Sequence, residues 1–440
     1  MRQSHKTVFL ERALLAGIAD GEPASRGESL EELARLAETA GAEVVDRVVQ
    51  KRETPGAKYY IGSGKVGEIA AAVESEKIDV VIFDHDLSPA QVRNLEKQIK
   101  RKVIDRTELI LDIFATHART QQAKLQVEVA QLEYSLPRLR RMWTHLGQQA
   151  GGAIGGAIGV RGPGEKQLEK DRRIARRRVY ELKKEIEVIE KRKQREVGAR
   201  ALDNYTVSLV GYTNAGKSTL MNALTGADVL AEDRLFSTLD TRTRLWKLTD
   251  GSKALLSDTV GFIRNLPTGL VTSFHATLEE VVQADLLLHV VDASDPQSER
   301  QIEAVEDVLT KIGAREKDTL ILFNKTDRLR DAVEMTLLAR RHPDSLAISA
   351  KTGEGLAGLA DRISKILASR LVELEVEIPQ SEGRLLADLA ANAMVLQRED
   401  GPERVRLRLR APKRLLWRLG PYAAGSGSPG VPGRVSGGGD

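Results

Sequence analysis

The chain has 440 residues, 41% hydrophobic and 30% charged, with a formal net charge of +4. That length allows two to four domains with real cores, and the balance describes a soluble globular protein. The absence of cysteine excludes disulfides, cysteine-ligated zinc and thiol nucleophiles, and fits a reducing cytoplasm.

The N-terminus, MRQSHKTVFLERALLAG, has no long apolar run, so no signal peptide is expected. No window approaches roughly eighteen uncharged apolar residues, so no membrane span is expected either. Residues 1–110 alternate strand-like and helix-like segments. KTVFLERALL, AEVVDRVVQ and DVVIFD read as strands, SLEELARLAETA and KVGEIAAAVESE as helices. Ser88 and Pro89 supply an N-cap and first turn for AQVRNLEKQIK. This alternation predicts a parallel N-terminal α/β domain. Within it, GSGKVGE (residues 62–68) resembles a phosphate loop but lacks the glycine spacing and follows no clear buried strand. A loop-to-helix turn is expected there.

Residues 111–200 read as a helical linker. It ends its first half in a basic, Trp-bearing segment and then carries a glycine-rich loop, GGAIGGAIGVRGPGEKQ (151–167). Arg141, Arg161 and Lys166 around that loop suit a nucleic-acid backbone, but a plain flexible linker reads equally well. Residues 161–200 hold fifteen Lys/Arg against eight Asp/Glu. Leu168, Ile174, Val179, Leu182, Ile186 and Ile189 recur at helical spacing, which predicts one or two long amphipathic helices. They are either a solvated linker or a surface for a polyanion such as RNA. Residues 201–370 form a second α/β unit. Residues 371–419 read as strand, helix, strand, a small appended domain, and the Gly/Pro/Ser-rich tail of residues 420–440 as disordered.

The second α/β unit carries the chemistry. YTVSLVGYTNAGKSTLMNALTG (205–226) is a strand, then G-x-x-x-x-G-K-S, then a helix, the arrangement of a phosphate-binding loop. Glycine lets backbone N–H groups wrap a β-phosphate, and the helix N-terminus adds partial positive charge. Binding is expected from Gly211, Tyr212, Thr213, Asn214, Ala215, Gly216, Lys217, Ser218 and Thr219. Lys217 would bridge the β- and γ-phosphates and Ser218 would ligate Mg²⁺. In DTLILFNKTD (318–327) an apolar strand ends in Asn324, Lys325 and Asp327, and the Asp327 carboxylate can accept from guanine N1 and N2. Adenine offers no such donor pair, which argues against an ATP-using P-loop enzyme. Ser349, Ala350 and Lys351 can present a backbone N–H to guanine O6. In ALLSDTVGFI, Asp258 can hold a Mg²⁺-bound water, Gly261 can offer its N–H to a γ-phosphate, and Thr259 and Val260 lie between them. In LFSTLDTRTR, Thr238 is the first choice for a second Mg²⁺ ligand and Thr241 the second. Lys217, Thr238 and Gly261 are therefore the expected catalytic residues. The fold class is α/β, a P-loop GTPase domain preceded by an N-terminal α/β domain and a long helical linker.

These motifs, with WTHLGQQAGG, GVRGPGEKQLEKDRR, SDTVGFIRNLP and LVTSFHATLEEV, resemble the HflX family of translational GTPases, within the Obg–HflX group. The likeness spans roughly residues 5–415. It implies GTP hydrolysis stimulated by ribosomes, binding to the large (50S) ribosomal subunit and its rRNA, and splitting or rescue of stalled or idle ribosomes. It also implies that the glycine-rich loop approaches the peptidyl-transferase region and that residues 166–200 contact rRNA. The GAIGGAIG repeat is longer than the family's usual stretch, and Thr268 stands where a histidine is expected.

One position does not fit a self-sufficient hydrolase. The residue after Gly261 is Phe262, which cannot orient an attacking water. Either hydrolysis is lost, or a partner supplies the group, or a monovalent cation assists. Asn214 is a candidate K⁺ ligand, and equally a side chain that stabilises its own loop. A cytoplasmic monomer with low intrinsic activity is expected. A nucleotide-gated RNA-binding or remodelling protein that does not act on intact ribosomes remains the alternative.

Overall fold

In the computed structural model the described residues are 11–19, 30–52, 54–142, 163–203, 205–226, 235–236, 241–264, 275–329, 331–369, 371–412 and 419–423. Thr238, Thr268, Arg161, residues 151–162 of the glycine-rich loop and the tail from residue 424 lie outside them.

Strand β1 (Arg12–Ala19) is almost wholly buried, as a strand covered on both faces must be. It sits inside a four-stranded sheet with β2 (Glu43–Lys51), β3 (Val80–Phe83) and β4 (Lys102–Asp105), in the order β2-β1-β3-β4. All its pairings are parallel. Alternate residues serve opposite faces. Ala13, Leu15, Val80 and Ile82 pack towards Leu33 and Leu36 of α1 (Glu31–Ala40) and Ile110 and Phe114 of α4 (Arg106–His117). Leu14, Ala16, Val81 and Phe83 pack towards Val66, Ile69, Leu95 and Ile99 on α2 (Ser63–Ser75) and α3 (Pro89–Ile99). Ser88 caps α3 in a full capping box with Gln91, and Pro89 opens the helix. Helix α4 runs on past residue 110, with Leu111, Ile113 and Phe114 buried in this core.

Helices α5 (Gln121–Met142) and α6 (Pro163–Asp203) pair through Leu125, Val129, Val179, Leu182 and Ile186. Arg178 to Glu128 at 3.0 Å and Lys183 to Glu133 at 2.7 Å flank that seam. The basic segment is thus one helix of 41 residues, about 60 Å long.

The second sheet has the order β10-β9-β8-β5-β7-β6. Its strands are β5 (Tyr205–Gly211), β6 (Arg242–Lys247), β7 (Lys253–Asp258), β8 (Leu286–Asp292), β9 (Thr319–Asn324) and β10 (Leu346–Ala347). Every pairing is parallel except β6 with β7. Helices α7 (Lys217–Thr225), α8 (His275–Gln283), α9 (Ser298–Lys311), α10 (Ala332–Arg341) and α11 (Leu356–Ser369) surround it.

The last sheet departs from the strand–helix–strand expectation. Between α12 (Gly383–Asn392) and β13 (Arg404–Pro412) lies a further strand, β12 (Met394–Asp400), and the antiparallel order is β11-β13-β12 with β11 (Leu371–Pro379). Strand β12 is an edge strand whose Val395 and Leu396 both face solvent. Its sequence therefore lacks the alternation by which a half-buried strand is recognised.

Candidate functional site: a guanine-nucleotide pocket

The phosphate loop joins the buried strand β5 to α7, and its backbone needs glycine at both ends. Gly211 has φ +149° and Gly216 φ +94°. A Cβ on Gly211 would meet Val290 O at 2.2 Å, and one on Gly216 would meet Asn324 Nδ2 at 2.3 Å. A side chain at either position would collide with the end of a neighbouring strand. Asn214 also adopts a left-handed conformation, φ +59°, which Asn tolerates better than most residues. Gly261 is held to the loop by space rather than by dihedral, since its Cβ would fall 2.7 Å from Thr213 Cα.

Lys217 is 7% exposed, and its ammonium donates to Gly211 O at 3.0 Å and Tyr212 O at 2.8 Å. Burial lowers its pKa to about 8, with nearby Asp258 acting the other way. Ser218 Oγ donates to Asp258 Oδ2 at 2.7 Å, which sets a hydroxyl beside a fully buried carboxylate at the carboxyl end of β7. Two hard oxygen donors so close fit Mg²⁺. Thr259 donates to Leu209 O at 2.6 Å and Val260 is buried, so both act as scaffold in this arrangement. Thr219 is half-buried in the first turn of α7.

The ends of β9 and β10 bring the residues expected to read the base to the same loop. Asn324 Nδ2 donates to Ala215 O at 2.8 Å, while its Oδ1 accepts from the Ala350 amide at 2.9 Å. Lys325 Nζ donates to Asn214 O at 2.8 Å and pairs with Asp292 at 2.6 Å. Ser349 Oγ donates to Asp327 Oδ1 at 2.7 Å, which orients that carboxylate. Lys351 is exposed. The phosphate loop, Asn324–Asp327 and Ser349–Ala350 are thus one hydrogen-bonded unit.

Phe262 is 2% exposed. Its amide donates to Gly211 O at 3.1 Å and its carbonyl accepts from the Thr213 amide at 2.7 Å. The ring belongs to a core cluster that includes Leu33 of α1 and Phe114 of α4, then Phe236, Val260 and Ile263, and Leu278 of α8. Phe114 and Phe236 meet edge-on, centroids 4.6 Å apart. Phe262 therefore anchors the segment after Gly261 and is not placed as a reagent.

Three features escaped the sequence reading. The first is a charged junction between the N-terminal sheet and the phosphate loop. Tyr212 Oη donates to Glu32 at 2.9 Å and accepts from the Arg264 amide at 2.8 Å, and Arg106 contacts Glu32, Asp84 and the Arg264 carbonyl. The second is a contact from α6, where Lys193 Nζ donates to Thr241 Oγ1 at 2.8 Å. The third is Asp292, whose position at the end of the apolar run LLLHVVD was a readable signal. The other two depend on tertiary docking and have none.

Residues 27–115 match the family described as GTP-binding GTPase N-terminal, 117–200 its middle region, 206–325 the 50S ribosome-binding GTPase family and 334–419 the HflX C-terminal domain. A GTPase HflX from Magnetococcus marinus is 47% identical over 85% of this chain and 86% of its own length. One from Escherichia coli is 46% identical over 87% and 90%. The chain belongs to the GTPase HflX family. A solved GTP-binding protein from Sulfolobus solfataricus, in complex with GDP, is similar over 81% of this chain and 98% of its own, at 26% identity and a TM-score of 0.44. As an HflX-family GTPase, the chain hydrolyses GTP. Among the described residues no helix is long and apolar enough to cross a membrane.

Proposed function

We propose that this GTPase hydrolyses GTP slowly alone, is accelerated by the large (50S) ribosomal subunit, and uses the cycle to split or rescue stalled or idle ribosomes in the cytoplasm. The observation that carries the reading is Phe262, buried at the position where a water-orienting side chain stands in self-sufficient switches. Hydrolysis then waits for a group or a rearrangement supplied from outside.

In this reading Lys217 leaves its two carbonyls to bind the β- and γ-phosphates. The amides of residues 212–219 wrap the β-phosphate, and the Gly261 amide binds the γ-phosphate. Asp327 accepts from guanine N1 and N2, with Ser349–Lys351 closing over O6. Ser218, with Thr238 from the segment before β6, holds Mg²⁺, and Asp258 holds one of its waters. Mg²⁺ held by these residues would supply positive charge against the phosphate oxygens. Asn214 is a K⁺ ligand in this reading, so hydrolysis is faster in KCl than in NaCl.

The partner surface is α6, whose outer face carries Arg173, Arg177, Lys184, Lys191 and Arg192 with Tyr180, 60% exposed, between them. Basic side chains interleaved with an aromatic suit RNA phosphates and a stacked base. The match of residues 206–325 to 50S ribosome-binding GTPases supports the same partner. The chain would act as a monomer, with the domains 1–110, 111–200, 201–370 and 371–419 read from the sequence pattern, except that α4 carries the first of them past residue 110 to His117.

Pelleting with purified 50S subunits tests the partner. The protein should co-sediment with a non-hydrolysable GTP analogue bound, release with GDP, and lose binding steeply as salt rises. Equal binding in both states, or binding to free RNA but not to subunits, would contradict the reading.

A further inference from the structure

A polar chain runs from the long helix to the metal end of the pocket. It begins at Lys193 of α6, whose ammonium donates to Thr241 Oγ1 at 2.8 Å and faces Glu280 Oε1 at 3.9 Å. Glu280, on α8, is 8% exposed, and its other oxygen accepts from Thr243 Oγ1 at 3.1 Å. Thr243 lies 3.1 Å from Ser257 Oγ. The one hydroxyl proton of Thr243 goes to the carboxylate, so Ser257 is the donor in that contact. Ser257 is buried and directly precedes Asp258, which holds Ser218.

Each end of this chain has an identity. Thr241 follows the segment that carries Thr238, and Glu280 belongs to the helix that follows Gly261 and Phe262. Lys193 thus touches the elements after both phosphate-sensing segments from a helix whose other face is exposed and basic. A surface salt bridge would contribute little, but Glu280 is desolvated, and a buried carboxylate that loses its partners is costly. Motion of α6 relative to β6 and α8 must therefore either carry Glu280 along or leave it unsatisfied.

We propose that Lys193 and Glu280 are positioning residues that couple the metal end of the nucleotide site to α6. A triphosphate bound at Ser218 and Asp258 changes the grip of α6 on the G domain through Ser257, Thr243 and Glu280. By reciprocity, a subunit that engages α6 acts on Asp258 and Ser218 through the same contacts. Only this second half rests on the ribosomal reading above.

Two measurements on the full chain test the coupling. In the first, hydrogen exchange of residues 186–200 is compared with GDP and with a non-hydrolysable GTP analogue bound. Wild type should differ about tenfold between the two states, and Lys193→Met and Glu280→Gln should each remove the difference while Lys193→Arg retains it. In the second, GTPase kinetics are titrated with 50S subunits. Lys193→Met and Glu280→Gln should keep the unstimulated rate and the KM for subunits, and lose about tenfold in stimulated kcat. A nucleotide-dependent difference that survives in both variants, or that is absent from wild type, overturns the coupling. If the exchange result holds but subunits stimulate no form of the protein, the coupling stands and the ribosomal reading falls. A purely structural role would lower stability in the variants and leave the nucleotide-dependent difference in place.

Discussion

At the carboxyl ends of β3 and β4, Asp84 and Asp105 are buried against Arg106 and Arg138, each within 2.8 Å of its partner. At the carboxyl end of β5, Lys217 is buried against two carbonyls. Both sheets are built from parallel strands and helices, and both hide charge where such sheets bind ligands. In the N-terminal sheet the charge is neutralised within the protein. Tyr134 and Arg138 close over Asp105, and Arg106 is shared between Glu32 and Asp84. In the G domain a desolvated ammonium, with a pKa lowered to about 8, is left facing the place of an anion. Geometry separates the two strand–loop–helix units in the same way. The glycine-bracketed loop after β5 follows a buried strand directly. Gly62, by contrast, opens α2 with its amide tied to Gln50 Oε1 at 2.7 Å, and Lys65 pairs with Glu68. A Gly-Lys pair binds phosphate when the backbone is wrapped and the lysine is kept without a carboxylate partner.

That contrast can be broken by substitution, most severely at Lys217. Lys217→Ala should weaken GTP binding roughly a hundredfold to a thousandfold, or about 3–4 kcal/mol, in a fluorescent-nucleotide titration. Normal binding by that variant would remove the phosphate-loop assignment. Next in size is Phe262→Gln, which inserts the residue type of a self-sufficient switch. Because position 262 lies in the core, the amide would be buried without partners. We expect about 2–4 kcal/mol lost in urea unfolding and no gain in unstimulated hydrolysis. A faster intrinsic rate would show that the side chain reaches the γ-phosphate after all.

A smaller effect separates the sheets by pH. Glu108, in the first turn of α4, has a pKa pushed up to about 7, by burial first and then by Asp105 and Asp112. A carboxyl with a raised folded-state pKa favours the fold fully below its unfolded value, near 4.5, and that contribution is lost as pH rises through about 7. Glu108→Gln should therefore be about 2 kcal/mol more stable than wild type at pH 8 and equal to it near pH 4.5. A constant difference across that range would refute the titration. Smallest of all, Lys65→Ala should change GTP affinity by less than about twofold, since its ammonium is engaged by Glu68.

Much of this was legible from local pattern. The strands β3, β5, β7 and β9 read as apolar runs, β1 only in part because it continues to Ala19 beyond the run ending at Leu15, and α3 reads from its Ser88–Pro89 start. The loop from Gly211 to Ser218 and the strand end at Asn324–Asp327 carry their spacing in the sequence, because backbone wrapping fixes it. What the sequence withheld depends on docking. Nothing local marks Glu32 or Arg106 as neighbours of Tyr212, or Lys193 as a neighbour of Thr241, since those pairs are 48 to 180 residues apart. Strand β12 was missed because it owes its pairing to β13 and not to its own alternation. Phe262 read as a side chain that cannot orient a water, but nothing local marks it as a buried core residue that joins two domains.

The central claim is that the nucleotide pocket is complete for binding and incomplete for hydrolysis. Single-turnover GTP hydrolysis, measured with and without purified 50S subunits in KCl and in NaCl, tests it most directly. Bound GTP should turn over slowly alone, subunits should accelerate it at least about a hundredfold, and the rate should be higher in KCl than in NaCl. Equal rates in all four mixtures would contradict it.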